Sequence, residues 1–419
     1  MTKRWALAGT GHRGLDMFAR PLATHPELQK GSELVGLFDP SRVHLEYCRK
    51  AINKPELPIF TDFDAMLDAV KPDGVIVCTV DTTHAEYIRR AAARGCMVAS
   101  EKPVCVTEQQ CADLLRCEKE TGSRIIVTHN VRFMPLAVKI KELIDSGAIG
   151  EIKTMHYREM LDRDHGAAYF RRWHARRKNS GGLMTHKSSH HFDILNFFNG
   201  GVLADTVSAL GDLSVYGKNG PYRSDRCRGC PHATKCEFYT DITPFEKFQE
   251  MYIKAEDETG YVRDNCVFAE DIDIEDRISV SYRYKNGVIG SYTLCAYAMW
   301  EGAEIHIQGT DGLIEAVDRR IRGEGIVPDF GIDKSTEKLT LYTRNAVKSI
   351  EIPQVEGGHG GADAGLHRAF FGDPSGPAKT AQTATLFEAL QAVLIGLAAN
   401  RSIQKNGAPE SVQAPIAGI

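Results

Sequence analysis

The first third of the chain alternates short apolar runs with helical segments. The apolar runs are WALAG, SELVGLFD, DGVIVCT, CMVASEKP and RIIVTHN, and helical patterns such as THAEYIRRAAARG and VTEQQCADLLRCEKETG separate them. Apolar strands that alternate with helices are typical of a parallel sheet covered on both faces. We therefore predict a doubly wound, Rossmann-type α/β domain over residues 1–127.

A glycine motif follows the first predicted strand. Gly9, Gly11 and Gly14 form GxGxxG where a strand passes into a helix. In this context the first glycine allows a tight turn, the second lets a pyrophosphate approach, and the third allows close contact between helix and strand. Free N–H groups at the helix N-terminus would then bind the phosphates. The alternative is a glycine-rich turn without a ligand. We also expect Pro21 to kink or end this helix early.

The end of the second strand indicates which dinucleotide binds. Asp39 lies there, where a carboxylate accepts hydrogen bonds from ribose hydroxyls and repels a 2′-phosphate, so NAD is favoured. Arg42, three residues later, keeps NADP as the alternative.

The remainder of the chain has a different pattern. RISVSYRY and VIGSYTLCAYA alternate polar and apolar residues about a turn with Asn286-Gly287, which is a strong hairpin signal. Further alternating segments follow. We predict an α+β domain over residues 128–419 with an open, mostly antiparallel sheet and a cysteine-containing insertion around 220–270.

Several motifs together resemble one family. Glu101-Lys102-Pro103 ends a predicted strand, THNVRFMP covers 128–135, a GG…H…D helix covers 181–193, and ATLFEALQAVLIGLAANRSI covers 384–403. Together with the glycine motif, they make the chain similar to the Gfo/Idh/MocA oxidoreductases over essentially its whole length. The resemblance implies an NAD(P)-dependent enzyme and a homo-oligomer, either a dimer or a tetramer.

The resemblance also assigns roles to particular residues. It places Lys102 beside the nicotinamide and the substrate hydroxyl, where a partly desolvated ammonium would stabilise a developing alkoxide. The alternative is a lysine whose side chain merely extends from a strand end to solvent. His84 and Arg132 fall at family motif positions near the cleft, although packing or capping roles are equally open. The expected cofactor-binding residues are Gly9, Gly11, His12, Arg13, Gly14, Asp39, Arg42, Thr79, His84, Glu101 and Lys102.

The segment GGLMTHKSSHHFDILNFFNG reads as one helix. His186, His190 and Asp193 would share one face, and Lys187 would lie where a helical zinc protease has its catalytic glutamate, which argues against a hydrolytic metal. The family usually has a carboxylate at position 186, so His186 departs from it. The resemblance makes His190 the base that removes the hydroxyl proton, a task that suits its ordinary pKa near 6.5. The expected catalytic residues are Lys102, His190 and His186.

The segment before this helix carries rings and cations. Aromatic rings stack on the C–H face of a sugar while cationic donors bind hydroxyl or acidic groups. The alternative is a solvated basic stretch. The expected substrate-binding residues are Arg132, His165, Tyr169, Arg172, Trp173, Lys187 and His191.

Four cysteines in the insertion have the spacing of metal ligands. Cys227 and Cys230 form CxxC, and Cys236 and Cys266 follow. A two-residue gap lets both thiolates face one ion, so we expect a structural zinc, with an iron–sulfur cluster as second choice and four reduced thiols as the alternative.

Composition excludes some partners. With a formal net charge of -4, the chain offers no electrostatic reason to bind nucleic acid or an anionic membrane. No continuous apolar run approaches the roughly 20 residues of a membrane span, and there is no signal-peptide core. We expect a cytoplasmic protein with a carbohydrate substrate.

Two reactions remain open. The first is NAD-dependent oxidation of a secondary hydroxyl of a sugar, a polyol or a sugar derivative. The second is an NAD-dependent glycosidase that oxidises the sugar, eliminates the aglycone, adds water and reduces the sugar again. The histidine at position 186 and the additional His165, Tyr169 and His191 make the second reaction a plausible alternative to the first.

Overall fold

Two sheets organise the chain. The computed structural model describes residues 2–321, 335–353, 355, 361–372, 382–413 and 416. Its strands are β1 (Lys3–Ala8), β2 (Ser32–Phe38), β3 (Ile59–Phe60), β4 (Gly74–Val77), β5 (Met97–Ser100), β6 (Ile125–Val127), β7 (Ile152–Asp162), β8 (Ala204–Asp212), β9 (Arg277–Tyr284), β10 (Ile289–Ala298), β11 (Glu301–Gly309), β12 (Gly312–Arg320), β13 (Ser335–Thr343), β14 (Ala346–Ile350), β15 (Ala384–Thr385) and β16 (Glu410–Ser411).

The α-helices lie on and between these sheets. They are α1 (Arg20–Thr24), α2 (Pro26–Gln29), α3 (Arg42–Ala51), α4 (Phe63–Val70), α5 (His84–Ala92), α6 (Glu108–Thr121), α7 (Pro135–Asp145), α8 (Arg163–Arg171), α9 (Arg177–Ser180), α10 (Leu183–His186), α11 (Ser189–Phe198), α12 (Glu246–Phe248), α13 (Glu256–Thr259), α14 (Ala362–Phe371) and α15 (Leu386–Gln404). Two π-helical segments, Gly14–Ala19 and Gln249–Ile253, and four short 3₁₀ turns complete the elements.

The first sheet confirms the predicted Rossmann-type class. Its order is β15-β6-β5-β4-β1-β2-β3, and every pairing except β15 with β6 is parallel. Because β15 comes from residues 384–385, the chain returns to its first sheet near its end. The predicted boundary between the two domains, at residues 127 and 128, therefore stays a prediction.

The second sheet confirms the predicted open, mostly antiparallel architecture. Its order is β14-β13-β12-β11-β7-β10-β9-β8-β16, and only β10 and β7 pair in parallel. The expected hairpin joins β9 to β10, with Gly287 at a φ of 85° in its turn. Alternate residues of β9 are buried, so one face of the sheet meets the helices.

Among the described residues, one helix is long and apolar enough to cross a membrane. It is α15, in which Glu388 and Arg401 interrupt the apolar residues. It is nevertheless mostly buried, and it packs against α11 and β8 as the core helix of a globular domain does.

Pro21 does not end the first helix, contrary to expectation. The helix continues through it to Thr24, preceded by the π-helical segment Gly14–Ala19. A proline has no N–H to donate to the preceding turn. Here His367 of α14 reaches that turn, and its Nε2 lies 2.6 Å from the Met17 carbonyl oxygen. A π-helical turn and a contact from a distant helix thus accommodate the proline.

The insertion between β8 and β9 is held by buried carboxylates and aromatic rings. Asp264 is fully buried and accepts hydrogen bonds from the Arg226 guanidinium and the Arg228 amide. Asp276, also fully buried, accepts from the backbone amides of residues 214–216. Tyr216 stacks on Phe170 of α8, with ring centroids 4.2 Å apart. These contacts fasten the insertion to the body of the protein.

Replacing Asp264 tests this account. We expect D264A to lower the free energy of unfolding by about 3 kcal/mol, because the Arg226 charge loses its buried partner. Asp271 is a matched control, because its pair with Arg176 is largely exposed and such pairs contribute about 0–1 kcal/mol. Urea unfolding followed by fluorescence measures both variants. Equal losses would show that Asp264 is no more important than a surface carboxylate.

Candidate active site

The glycine motif has the shape that a dinucleotide requires. Gly9 has a φ of 94°, and a Cβ there would meet the Cys78 carbonyl oxygen at 2.3 Å. A Cβ on Gly14 would meet the Gly9 carbonyl oxygen at 1.9 Å, so the turn and the helix are in direct contact. At Gly11 a Cβ would meet nothing within 4 Å, which leaves open space beside the loop. This open space fits the position of a pyrophosphate.

Asp39 directly follows β2 and faces the glycine loop. Its Oδ2 accepts the Thr10 amide at 2.8 Å and the Thr10 hydroxyl at 3.2 Å, and its Oδ1 accepts the Ser41 amide at 2.9 Å and lies 3.3 Å from Nδ1 of His44. A carboxylate has about four acceptor positions, so a ribose hydroxyl would bind Asp39 by replacing one of the two longer contacts. The Arg42 side chain pairs with Glu46 on the exposed side of α3. Arg42, the residue that made NADP an alternative, therefore forms its ion pair within its own helix.

Glu101 and Lys102 extend the site from the end of β5. The Arg13 Nε lies 2.9 Å from Glu101, so the glycine-loop helix is joined to the strand end by an ion pair. Burial lowers the pKa of Lys102 to about 8, although Asp81 and Glu101 oppose the shift. The Lys102 Nζ donates to the carbonyl oxygen of His186 at 2.9 Å. Lys102 thus connects the Rossmann domain to the histidine segment.

The other members of the predicted cofactor set lie around this strand end. His84 is buried, with Nδ1 2.8 Å from the Pro103 carbonyl oxygen and Nε2 3.1 Å from that of Thr79. It therefore supports the strand ends rather than facing a ligand, which corrects its predicted direct contact. The Thr79 hydroxyl bonds that of Thr83. The amide of His12 donates to the Tyr252 hydroxyl from the insertion.

The histidine segment is not one helix. It divides into α10 and α11 at Lys187-Ser188. In a continuous helix the His186 carbonyl would accept the amide of His190, but it accepts Lys102 Nζ, and the His190 amide bonds the Lys187 carbonyl at 3.3 Å. The Ser188 hydroxyl bonds Tyr292 of the large sheet. Tertiary contacts at both residues account for the break.

A carboxylate reaches His186 from the other domain. Asp81, in the turn after β4, places Oδ2 2.5 Å from His186 Nδ1. Burial raises the pKa of Asp81 and lowers that of His186. The family's helix-borne carboxylate is absent at position 186, and Asp81 supplies a carboxylate behind the imidazole instead.

His190 is held as a neutral imidazole. Its ring lies 5.6 Å from that of His129, and its Nδ1 is buried without a hydrogen-bond partner in the described part of the chain. Burial lowers the pKa of His190 far below 6.5, and the Lys102 charge adds to that effect. The residue is therefore unprotonated at neutral pH, but it is a weaker base than the ordinary pKa near 6.5 would make it, so the expectation of an ordinary pKa is wrong.

Arg132 lies beneath the site. Its guanidinium forms two hydrogen bonds of 2.7 Å with Asp193, and both side chains are only 1% exposed. Glu388 of α15 lies 3.5 Å from the remaining nitrogen. A substrate cannot reach this arginine, so its predicted substrate contact is wrong. The pair instead fixes α11, which carries His190.

Lys187 and His191 join a buried network under the segment. Lys187 lies 3.2 Å from Glu159 of β7, whose pKa burial raises to about 7. His191 places Nδ1 2.8 Å from the Tyr292 hydroxyl and stacks on Tyr157, with ring centroids 4.7 Å apart. Because His191 is buried among these partners, its predicted substrate contact is also wrong. Lys187, which is half-buried, stays a candidate.

A second hydrogen-bonded chain lies on the other side of His186. Glu301 Oε1 lies 2.7 Å from Nδ1 of His165, and Nε2 of His165 lies 3.1 Å from the Tyr169 hydroxyl. Burial works against the charged form of Glu301, but the hydrogen bond from His165 outweighs it and lowers the pKa. An ionised Glu301 accepts from Nδ1–H, which leaves Nε2 to accept from Tyr169. The Tyr169 ring lies 5.5 Å from that of His186.

Arg172 and Trp173 border the same region. The Arg172 guanidinium lies over the Tyr169 ring at 5.9 Å and donates through Nε to the Ala168 carbonyl. Among the described residues it has no carboxylate partner. Trp173 stacks on His174, whose ring is 4.2 Å from that of His186. Both residues therefore stay candidates for substrate binding.

The expected metal centre is not supported. Within the described ranges, no group of three or more His, Cys, Asp or Glu side chains is close enough to hold a metal ion. Cys227, Cys230, Cys236 and Cys266 are free thiols. The Cys230 sulfur accepts the His232 amide, and that of Cys266 accepts the Phe268 amide, in local turns. The spacing of these cysteines thus matched a zinc site that the described side chains do not form.

Several site residues were not predicted from the sequence. Asp81, His129, Glu159 and Glu301 are buried next to the predicted residues. These four residues lie far apart in the sequence. Only Asp81 and His129 could have been found from the sequence, because each follows a parallel strand at the edge of the sheet where ligands bind.

Sequence profiles of one oxidoreductase family match nearly all of the chain. The profile for the NAD-binding Rossmann fold of the GFO/IDH/MocA family matches residues 3–129. The profile for the family's C-terminal alpha/beta domain matches residues 141–412. The first region contains β1 to β6, and the second contains all strands of the second sheet together with β15 of the first.

Individual relatives agree with these profiles. YteT of Bacillus subtilis, which carries an oxidoreductase name, is 33% identical over 391 residues and 88% of each chain. A 2,7-anhydro-N-acetylneuraminate hydratase of Mediterraneibacter gnavus is 26% identical over 52% of this chain and 54% of its own length. The structure of scyllo-inositol dehydrogenase from Lactobacillus casei with NAD(H) and scyllo-inositol superposes with a TM-score of 0.65 at 18% identity. It covers 99% of this chain and all of its own, which shows a shared fold.

The buried imidazoles predict loss of stability in acid. Burial lowers the pKa of nine described histidines, which are His12, His84, His129, His165, His174, His186, His190, His191 and His367. Below the unfolded value of about 6.5, the unfolded chain binds protons that the folded chain does not, so the free energy of unfolding falls as pH falls. Asp81 and Glu159 have raised pKa values and bind protons in the folded state, which offsets about two of these protons.

We therefore expect a net release of several protons on folding between pH 6.5 and 5. Urea unfolding at several pH values measures this slope. H191F should reduce the number of protons released on folding by about one, whereas H306Q, at an exposed histidine, should leave that number unchanged. A stability that is flat or rises on acidification would contradict neutral burial of these histidines.

Proposed function

Because the chain belongs to the GFO/IDH/MocA oxidoreductase family, we propose that it transfers hydride from a secondary hydroxyl of a sugar, a polyol or an acid derivative of either to NAD. One observation carries the proposal. Lys102 of the Rossmann domain contacts the histidine segment of the second domain through the His186 carbonyl, next to the neutral base His190. Substrate bound at this junction would meet a cation and a base together.

The protein side of the reaction uses two groups. The Lys102 ammonium donates to the reacting hydroxyl oxygen and stabilises the negative charge that develops there. His190 takes the hydroxyl proton. NAD, when bound, supplies the hydride acceptor. Asp81 holds His186, and Asp193 with Arg132 fixes the helix that carries His190, so these residues position the site.

Substrate recognition involves Tyr169, Arg172, Trp173 and Lys187. Arg172 is half-buried without a carboxylate partner in the described residues, so an acidic group on the substrate would neutralise it. This favours an acid derivative of a sugar over a neutral polyol. The scyllo-inositol bound by the structural neighbour indicates the size of a fitting ring.

We further propose a homo-oligomer that acts in the cytoplasm. Large apolar side chains are exposed at the second sheet, among them Leu210, Ile289, Met299 and Val347. A contact between copies through this sheet would cover them.

A second reaction has one observation in its favour. Glu301, His165 and Tyr169 are arranged as a carboxylate, an imidazole and a hydroxyl, as in hydrolases that activate a hydroxyl through histidine. A carbonyl formed by oxidation acidifies the adjacent C–H, and Tyr169 could move that proton during elimination of the aglycone and addition of water. The name of the hydratase relative is consistent with such chemistry.

Replacement of Lys102 or His190 tests the first reaction. We expect K102M and H190N each to lower kcat/KM about 10³-fold, while the Kd for NAD changes little. In the wild type, kcat/KM should be constant from about pH 6.5 to 8 and fall above that, as Lys102 loses its proton. NADH absorbance with a panel of neutral and acidic sugars measures the rates. The exposed Lys178→Met is the control, and K102M with near-normal turnover would refute the assignment.

Replacement of Tyr169 distinguishes the two reactions. If the relay moves a carbon-bound proton, Y169F should lower aglycone release and deuterium uptake from D₂O about 100-fold, while NADH formation from a simple sugar persists. Tyr222→Phe, in the insertion, is the control. Loss of NADH formation to the same extent as aglycone release would assign Tyr169 to substrate binding.

A further inference from the structure

A carboxylate from the insertion is bound at the start of α3. The Glu258 Oε2 accepts the Ser41 hydroxyl at 2.6 Å and the Val43 amide at 3.2 Å, and its Oε1 accepts the Arg42 amide at 2.7 Å. These three donors lower the pKa of Glu258, the Ser41 hydroxyl most strongly. Glu258 is more than 200 residues from α3 in the sequence, so the contact is purely tertiary.

The position of this contact matters for cofactor choice. Ser41 is two residues after Asp39, the carboxylate that faces the adenine ribose in a Rossmann domain. A 2′-phosphate would extend from that ribose towards the turn after β2 and would need donors there. A hydroxyl and two free amides at a helix N-terminus are such donors, since they bind anions well. Glu258 occupies all three.

The insertion holds Glu258 in place. Met251 and Tyr252 are buried in the same apolar cluster as Leu15 and Leu45 of the Rossmann domain. The Tyr252 hydroxyl also accepts the amide of His12 in the glycine motif, at 3.1 Å. The segment 251–258 therefore packs against the Rossmann domain through apolar contacts and a hydrogen bond, in addition to the contact of Glu258.

We propose that Glu258 occupies the binding position of a 2′-phosphate and thereby makes the enzyme selective for NAD over NADP. Two effects act together. The donors that a phosphate requires are already hydrogen-bonded to Glu258. The negative charge of Glu258 also repels a phosphate, and this repulsion adds to that from Asp39. The inference rests on the proposed function only in requiring a nicotinamide dinucleotide in this groove.

Equilibrium binding to the purified full chain tests the proposal without catalysis. Fluorescence titration with NADH and NADPH gives a Kd for each nucleotide in the wild type and in E258A and E258Q. We expect E258A to lower the Kd for NADPH about 10-fold, with the Kd for NADH within about threefold of the wild type. E258Q should move the Kd in the same direction by less, because its single amide oxygen can still accept the Ser41 hydroxyl and the Val43 amide, although its NH2 group cannot accept the Arg42 amide. Asp257 is exposed on the same helix and bonds none of residues 41–43 in the described chain, so D257A is the matched control.

The outcomes separate the two proposals. A Kd for NADPH that does not fall in E258A, or equal changes for both nucleotides, would overturn the role of Glu258 while leaving the dehydrogenase proposal intact. A wild-type chain that binds neither nucleotide would overturn the proposed function itself. A tenfold gain for NADPH that D257A does not share would support the inference.

Discussion

The buried pair of Arg132 and Asp193 is the interaction on which the site geometry depends. Both charges are removed from water, so they depend on partners inside the protein. Two hydrogen bonds of 2.7 Å join Arg132 to Asp193, and Glu388 lies 3.5 Å from Nη1 of Arg132, which has no hydrogen-bond partner among the described residues. Arg132 lies just after β6, Asp193 on α11, and Glu388 on α15. One cation therefore joins the first sheet, the histidine helix and the long core helix. A buried ion pair adds little net stability, but its strict geometry favours one arrangement of these three elements.

The contact between Lys102 and the His186 carbonyl is the second constraint. By engaging that carbonyl, it removes one helical hydrogen bond and coincides with the break between α10 and α11. The break changes the relative direction of His186 and His190, which a continuous helix would place on one face. His186 turns to Asp81 and Tyr169, while His190 lies against His129. The interrupted helix thus presents its histidines to two different sets of partners.

Local sequence patterns predicted the fold well because both sheets are built from short-range signals. The glycine motif and the hairpin at Asn286-Gly287 act over a few residues, and the structure confirms both. Patterns failed where tertiary contacts decide. Nothing near position 186 indicated that Asp81, from another domain, would supply a carboxylate. Arg132 and His191 have side chains suited to binding a substrate, but both are buried, and they hold neighbouring residues of the site in place instead. The cysteine spacing permitted a metal site, yet no group of three or more possible ligands in the described ranges is close enough to hold an ion.

The electrostatics of the site explain why it contains so many histidines. Lys102, Lys187 and Arg172 bring three cations into a region of low solvent access, which lowers the pKa of every nearby imidazole beyond the effect of burial. Carboxylates would pair with these cations and lose basicity, whereas neutral imidazoles stay available as proton acceptors at pH 7. The carboxylates that are present, Asp81, Glu159 and Glu301, lie behind histidines or lysines and orient them. This arrangement places cations, which stabilise a developing negative charge, and neutral bases, which accept protons, close together in the same site. It suits a reaction in which a hydroxyl loses a proton while its carbon loses a hydride.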